Sequence, residues 1–214
     1  MPSGDLIRAL APLTPVWGCP EILIHQASDF FALWEAWETE SGHEREIPYW
    51  AVVWPAAAVL ARYLLDHAEI VAGKRVLDLG CGGGAGGIAA SKAGAACVCA
   101  NDIDPVALHI MQRNAAANGV ELLPDNHDYT TSPHTCNADV ILIADLFYQK
   151  TEAAALHAAL RQIARGPARI YIADAGRSYT PHDGILLSET PQVPVNKELE
   201  GVCHRDVRLC LFKA

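Results

Sequence analysis

Short apolar runs alternate with longer amphipathic segments between about residues 75 and 175. Runs of this length are typical of buried strands. They lie at residues 75–79, 96–100, 120–123, 138–144 and 168–173. The segments between them predict helices over residues 85–92, 104–118 and 151–165. Strand–helix alternation with short links predicts an α/β fold with a doubly wound, mostly parallel sheet.

The amino-terminal part of the chain has a less regular pattern. Prolines interrupt residues 6–24, which predict a short extended segment. Ser28 is a candidate N-cap for a helix whose apolar positions share one face, and a polar loop is expected over residues 38–46. An Ala/Leu-rich helix is predicted next, over residues 56–65.

The carboxyl-terminal part contains two late strand candidates, residues 185–190 and 206–212, which predict an antiparallel hairpin. A chain of 214 residues with 51% hydrophobic content can bury one large core. We therefore expect a single domain over residues 1–214. It consists of an N-terminal helical cap, residues 1–47, and a core, residues 48–214.

Charge and cysteine content restrict the function. A net charge of −9 is unusual for a nucleic-acid-binding protein and suits a cationic or lysine-bearing partner, although it also simply favours solubility. The N-terminus lacks the pattern of a signal peptide, and no apolar run reaches the roughly 20 residues that a membrane span needs. The 7 cysteines show no metal-ligand spacing. We expect a soluble cytoplasmic protein with free thiols and no metal site.

A glycine-rich loop directly follows the first predicted strand of the core. Asp78 ends that strand, and Gly80, Gly82 and Gly84 alternate after it. Glycines in this position let a bare backbone approach a ligand closely. A second carboxylate, Asp102, ends the next predicted strand. Together these residues predict a nucleotide-type cofactor pocket at the carboxyl ends of two neighbouring parallel strands.

The position of Asp78 favours one cofactor over another. A carboxylate at the mouth of the loop would repel a dinucleotide pyrophosphate, whereas S-adenosylmethionine carries an ammonium and a sulfonium and no phosphate. Asp102 would accept hydrogen bonds from the two ribose hydroxyls. A dinucleotide, and a simple turn-capping role for Asp78, are the alternatives.

Two further strand ends carry polar residues. After the third strand, Asp128 is the candidate acceptor for the adenine amine, with an Asx turn as its alternative role. After the fourth strand, Asp145 could orient an amine and help to take its proton, and Tyr148 could wall the channel. The alternative is that Asp145 caps a turn while Phe147 and Tyr148 belong to the core.

Several segments together match one family pattern. They are Pro48-Tyr49-Trp50-Ala51-Val52-Val53-Trp54-Pro55, Arg62-Tyr63-Leu64-Leu65-Asp66, Val76-Leu77-Asp78-Leu79-Gly80 with Gly82 and Gly84, Ala100-Asn101-Asp102-Ile103-Asp104-Pro105, and Asp145-Leu146-Phe147-Tyr148. Over about residues 14–177 the chain resembles the electron transfer flavoprotein beta subunit lysine methyltransferases, a branch of the seven-strand methyltransferases. Gly86-Gly87 departs from the pattern, which has bulkier or hydroxyl-bearing residues there.

The resemblance implies a Rossmann-like, seven-stranded sheet and an enzyme that transfers methyl groups from S-adenosylmethionine to lysine ε-amines of a protein. S-adenosylhomocysteine would be the product, and electron transfer flavoprotein beta subunit the expected substrate. It implies that Trp54 lines the cofactor pocket and that Asp145 lies at the target amine. Ile103, which follows Asp102 in the matched motif, is also assigned to the cofactor pocket. Asp145 is assigned both to the cofactor pocket and to the catalytic site at the target amine.

Three alternatives remain at this point. The methyl acceptor could be a ribosomal protein or a small-molecule amine, or the protein could be a non-catalytic cofactor-binding module. Arg177, after Gly176, is equally compatible with binding substrate and with stabilising the loop after the fifth strand.

Overall fold

A computed structural model describes residues 1–133, 137–182, 184–187 and 190–213 of the chain. The strands are β1 (Leu13–Val16), β2 (Cys19–His25), β3 (Arg75–Leu79), β4 (Cys97–Asn101), β5 (Leu123–Asp125), β6 (Val140–Ala144), β7 (Arg169–Asp174), β8 (Ile185–Leu186), β9 (Gln192–Pro194), β10 (His204–Asp206) and β11 (Arg208–Leu211). The α-helices are α1 (Gly4–Leu10), α2 (Phe30–Ser41), α3 (Pro55–Asp66), α4 (Ala85–Lys92), α5 (Pro105–Ala117), α6 (Lys150–Ile163) and α7 (Lys197–Glu200).

Seven of these strands form one sheet in the order β5-β4-β3-β6-β7-β11-β8. The five strands from β5 to β7 are parallel, and β11 pairs antiparallel with both β7 and β8. The predicted seven-stranded, mostly parallel Rossmann-like sheet is thus confirmed. The late strands pair as a C-terminal antiparallel unit, but they are shorter than predicted, and the separate β9–β10 hairpin lies between them in sequence.

Both faces of the sheet are buried, as a doubly wound parallel sheet requires. On one face Val76, Val140 and Leu142 pack with residues of α3 and α4. On the other face Leu77 and Ile141 pack with residues of α6. Each fully buried aliphatic side chain of this kind contributes about 1.5–3 kcal/mol to folding. This core fixes the strand ends that carry the polar residues.

The amino-terminal prediction needs correction. Residues 6–24 form α1 and the β1–β2 hairpin instead of one extended segment. The N-cap of α2 is Asp29, whose side chain accepts a hydrogen bond from Ala32 N, so Ser28 does not cap the helix. The helix continues to Ser41 because its stop is Gly42, at φ 72°, and not the polar residues before it.

The third core strand is displaced from its predicted position at residues 120–123. Val120 N donates to Ala115 O, which closes the end of α5 and makes this amide unavailable for sheet pairing. Pairing with β4 begins only at Leu123, opposite Cys99, and continues to Asp125, opposite Asn101.

None of the described helices combines the length and apolar composition that crossing a bilayer requires. Within the described ranges, no three His, Cys, Asp or Glu side chains lie together as a metal site would require.

Candidate active site

The carboxyl ends of β3 and β6 border a small cleft beside the glycine loop. Four of the predicted cofactor residues line it: Trp54, Asp78, Gly80 and Gly82. Val52, Val53, Cys81, Gly83 and Ala144 complete much of the wall. A cleft beyond the carboxyl ends of parallel strands is the usual ligand position in this architecture. Gly84, Asp102, Ile103, Asp128 and Asp145 are not among the lining residues, and their contact with a cofactor stays a prediction.

The glycine loop adopts backbone angles that other residues rarely adopt. Gly80, Gly82 and Gly84 have φ values of 68°, 50° and 85°. A Cβ at Gly80 would lie 2.5 Å from Leu146 Cδ2, and one at Gly84 would lie 2.7 Å from Met111 Cγ. Gly84 is therefore needed for packing beneath the loop and for the start of α4, where it is the N-cap.

Gly80 and Gly82, two of the glycines that line the cleft, provide a matched pair of variants. A Cβ at Gly82 meets no heavy atom within 4 Å, so Gly82→Ala introduces only left-handed backbone strain, about 1–2 kcal/mol. Gly80→Ala adds the overlap with Leu146, about 1–3 kcal/mol more. We expect the free energy of unfolding in urea to fall further in Gly80→Ala than in Gly82→Ala. Equal losses would mean that Leu146 does not pack against the loop.

Asp78 lies buried beneath the first turn of α4. Its Oδ2 accepts a 2.7 Å hydrogen bond from Gly87 N, and a Cβ at Gly86 would lie 3.0 Å from its Oδ1. Burial is the main cause that raises the pKa of Asp78 to about 7, with a smaller contribution from the charge of Asp102 and an opposing one from the Gly87 hydrogen bond. Because they lack side chains, Gly86 and Gly87 leave room for the Asp78 carboxylate beneath α4. The two glycines, which depart from the family pattern, are therefore compatible with the packing of this helix.

Asp102 fixes the opposite side of the glycine loop. Its Oδ2 accepts from Gly82 N at 2.9 Å, and its Oδ1 accepts from Asp104 N at 3.0 Å. A carboxylate oxygen has two lone pairs, so each oxygen keeps acceptor capacity for a ribose hydroxyl. Burial raises the pKa of Asp102. The neighbouring side chain of Ile103 is 74% exposed.

Asp128 lies beyond the end of β5. Its exposed carboxylate accepts from Thr130 N at 2.9 Å and from Thr130 Oγ1 at 2.6 Å. These contacts form the Asx turn that was the alternative role for Asp128. The residue at the strand end is Asp125, which accepts from His127 N and Tyr129 Oη. Asp125 was not among the predicted site residues, because the strand was expected at residues 120–123 and lies at Leu123–Asp125.

Asp145 follows β6 in a left-handed conformation, at φ 56°. Its Oδ2 accepts from Ala56 N, in the first turn of α3, at 3.0 Å. Its Oδ1 accepts from Ala175 N and from Arg177 Nε, both at 2.9 Å. The side chain is 2% exposed. Asp145 therefore ties α3 to the loop after β7, and its direct contact with a substrate amine stays a prediction.

Three aromatic side chains form what we call the aromatic rim: Tyr49, Trp54 and Tyr148. The ring centroids of Tyr49 and Trp54 are 6.0 Å apart, and those of Tyr49 and Tyr148 are 5.5 Å apart. Trp54 Nε1 donates to Tyr49 O at 3.1 Å. Tyr148 is 43% exposed, unlike the fully buried Phe147, so only Phe147 belongs to the core. Tyr49 was part of the matched motif, but its contacts with Trp54 and Tyr148 were not predicted.

A sequence profile described as lysine methyltransferase matches residues 39–183, more than half of the chain. The chain belongs to this lysine methyltransferase family. Among its curated relatives, the zebrafish (Danio rerio) electron transfer flavoprotein beta subunit lysine methyltransferase is 44% identical over 132 residues, which cover 61% of this chain and 51% of that protein. The rat (Rattus norvegicus) protein of the same name is 38% identical over 160 residues, 74% of this chain and 62% of that protein. The matches thus span between one half and two thirds of these relatives.

Solved structures of methyltransferases share the fold of this family member. A candidate RNA methyltransferase from Pyrococcus horikoshii superposes with a TM-score of 0.60 at 16% identity, over 79% of this chain and 89% of that one. A candidate methyltransferase solved with S-adenosylhomocysteine gives a TM-score of 0.53 at 18% identity. The superposition covers 74% of this chain and 50% of that one. At these identities the likeness establishes the fold alone.

Proposed function

We propose that the protein is an S-adenosylmethionine-dependent protein lysine methyltransferase and that its substrate is electron transfer flavoprotein beta subunit. The observation that carries the proposal is the cleft that holds Asp78, Gly80 and Gly82 and is bordered by Trp54 of the aromatic rim. A carboxylate in the cleft suits a ligand with an ammonium and a sulfonium, and it opposes a pyrophosphate. The names of the curated relatives support the choice of lysine and of this substrate.

S-adenosylmethionine, when bound, supplies an electrophilic methyl group on its sulfonium. Asp102 would hold the ribose, and the bare loop from Gly80 to Gly82 would hold the methionine end. The aromatic rim would attract the lysine ammonium through its ring faces. Because a lysine has an unperturbed pKa near 10.4, it must lose a proton before it attacks the methyl group. Burial between the rings would lower that pKa, so that the proton leaves to solvent before the amine is enclosed and the methyl group is transferred.

Charge and cysteine state also fit this proposal. The net charge of −9 suits a lysine-bearing protein partner and not a nucleic acid. Among the described residues, the thiols of Cys19, Cys81, Cys97, Cys203 and Cys210 are free. Free thiols fit a reducing compartment, and we propose the cytoplasm.

The proposal is tested with tritiated S-adenosylmethionine and a panel of acceptors. The panel contains purified electron transfer flavoprotein, ribosomal protein L11 and small primary amines. We expect label in the beta subunit of electron transfer flavoprotein, and none with Asp102→Ala enzyme. Label only in ribosomal protein L11 or in the small amines would overturn the choice of substrate. No label in any acceptor and no binding of S-adenosylmethionine would overturn the enzymatic assignment.

Binding of S-adenosylmethionine is expected to depend on pH through Asp78. The raised pKa of about 7 means that part of the Asp78 population is protonated below neutrality in the free protein. An ammonium ligand prefers the ionised carboxylate, so affinity should rise up to tenfold per pH unit as pH increases from 5.5 to 7. Calorimetric titrations over this range measure the effect. Asp78→Asn should show a flat profile, and a profile equal to that of the wild type would exclude Asp78 as the titrating group.

A further inference from the structure

Arg177 connects three distant parts of the chain. Its Nε donates to Asp145 Oδ1 at 2.9 Å, and its Nη1 and Nη2 donate to Glu200 Oε2 and Oε1 at 3.0 and 2.8 Å. Its guanidinium carbon also lies 5.3 Å from the ring centroid of Trp54, within the range of a cation–π contact. We call Asp145, Arg177 and Glu200 the arginine clamp.

The clamp is shielded from solvent. The side chains of Asp145, Arg177 and Glu200 are 2%, 14% and 4% exposed. Arg205 adds a further contact, because its Nε donates to Glu200 Oε2 at 2.9 Å and its Nη2 to Glu200 O at 3.0 Å. A bidentate arginine–carboxylate pair fixes the orientation of the guanidinium plane as well as its position.

The clamp extends outside the region that matches the family profile. That region ends at residue 183, whereas Glu200 ends α7 and Arg205 lies in β10. These two residues do not border the cofactor cleft that contains Asp78 and Gly80. They are linked to the proposed reaction site through Arg177, which contacts both Asp145 and Trp54.

We propose that Glu200 is a positioning residue for methyl transfer, acting through Arg177 on Asp145 and Trp54. The inference rests on the proposed function, because it takes the surroundings of Trp54 and Asp145 as the place of reaction. Asp145 accepts the amides of Ala56 and Ala175, so its placement also fixes the start of α3 and the loop after β7. Loss of the Glu200 carboxylate would free the guanidinium to turn and would loosen both segments.

The test compares Glu200→Gln with Glu198→Gln, an exposed glutamate on the same helix. Glutamine keeps the shape of Glu200 but offers one acceptor oxygen in place of two, so it cannot receive both guanidinium N–H groups of Arg177. Methylation is measured at a temperature where circular dichroism shows every variant folded. We expect kcat to fall at least tenfold in Glu200→Gln, with the Kd for S-adenosylmethionine changed less than threefold. Glu198→Gln should match the wild type in both.

A second readout does not depend on activity. Amide hydrogen exchange of Ala56 and Ala175, measured by NMR, should become at least tenfold faster in Glu200→Gln and stay unchanged in Glu198→Gln. Unchanged exchange, or an unchanged kcat in folded Glu200→Gln, would overturn the positioning role. If the wild type methylates no lysine while exchange responds as expected, the proposed function fails and the clamp remains a structural link only.

Discussion

Replacing Asp102 with alanine is expected to weaken S-adenosylmethionine binding by at least about 100-fold. Two ribose hydroxyls that donate to one carboxylate contribute about 1.5–3 kcal/mol each, and every 1.4 kcal/mol is a factor of ten in affinity. The substitution also removes the acceptor for Gly82 N, which holds the glycine loop against β4. Both effects act in the same direction, so the loss should be large and easily measured by calorimetry.

Two variants separate the causes of this loss. Asp102→Asn keeps one oxygen that can accept from Gly82 N, so it should bind the cofactor with an affinity between those of the wild type and Asp102→Ala. Asp104→Ala removes the carboxylate two residues later, which caps α5 by accepting from Val106 N. It should cost about 1 kcal/mol of stability and leave the affinity within threefold. A Kd for Asp102→Ala within threefold of the wild type would contradict the ribose assignment.

The second large effect is expected for Asp145→Asn. Asparagine tolerates the left-handed φ of this position, so the backbone keeps its conformation. The side-chain amide nitrogen of asparagine, however, is itself a donor. It would face the N–H group of Ala56, Ala175 or Arg177, where the carboxylate oxygen of Asp145 accepts a hydrogen bond. Disrupting a buried ion pair of this kind costs about 3–5 kcal/mol. We expect the melting temperature to fall by about 10 °C and methyl transfer to fall at least 100-fold.

The control for Asp145→Asn lies at the other end of the same strand. Asp139 forms an exposed ion pair with Arg75, and solvent screening makes exposed pairs of this kind weak contributors to stability. Asp139→Asn should therefore change the melting temperature by less than about 3 °C and leave methyl transfer unchanged. Full methylation by folded Asp145→Asn would show that neither the clamp nor a contact with the amine needs this carboxylate.

Local sequence signals predicted the elements around the glycine loop. The predicted bounds of β3 and α4 coincide with the observed ones, because Gly80, Gly84 and the apolar run before them fix both ends within a few residues. Asp104-Pro105 likewise predicted the start of α5. The hairpin of β1 and β2, in contrast, was not predicted. The hairpin turns at Trp17-Gly18 and pairs Leu13 with His25. The prolines of this segment indicated an irregular extended structure and so obscured the strand pattern.

The sequence identified single site residues better than their partners. Trp54, Asp78, Gly80 and Gly82 were predicted and do line one cleft. The arginine clamp was not predicted, because Asp145 and Arg177 are 32 residues apart and Glu200 follows Arg177 by another 23. Contacts at such separations depend on how β6, β7 and α7 come together, which no local pattern encodes. Arg177, for which the sequence left two roles open, contacts Asp145, Glu200 and the ring of Trp54.

The protein is proposed to transfer methyl groups to lysine ε-amines. The most direct test is to determine which side-chain atom of the substrate receives the methyl group. Purified electron transfer flavoprotein is incubated with the enzyme and S-adenosylmethionine bearing a deuterated methyl group, and the beta subunit is then sequenced by tandem mass spectrometry. We predict deuterated methyl groups on lysine ε-nitrogens, absent with Asp102→Ala enzyme. Deuterated methyl groups on arginine or glutamine, or none on the beta subunit, would contradict the account.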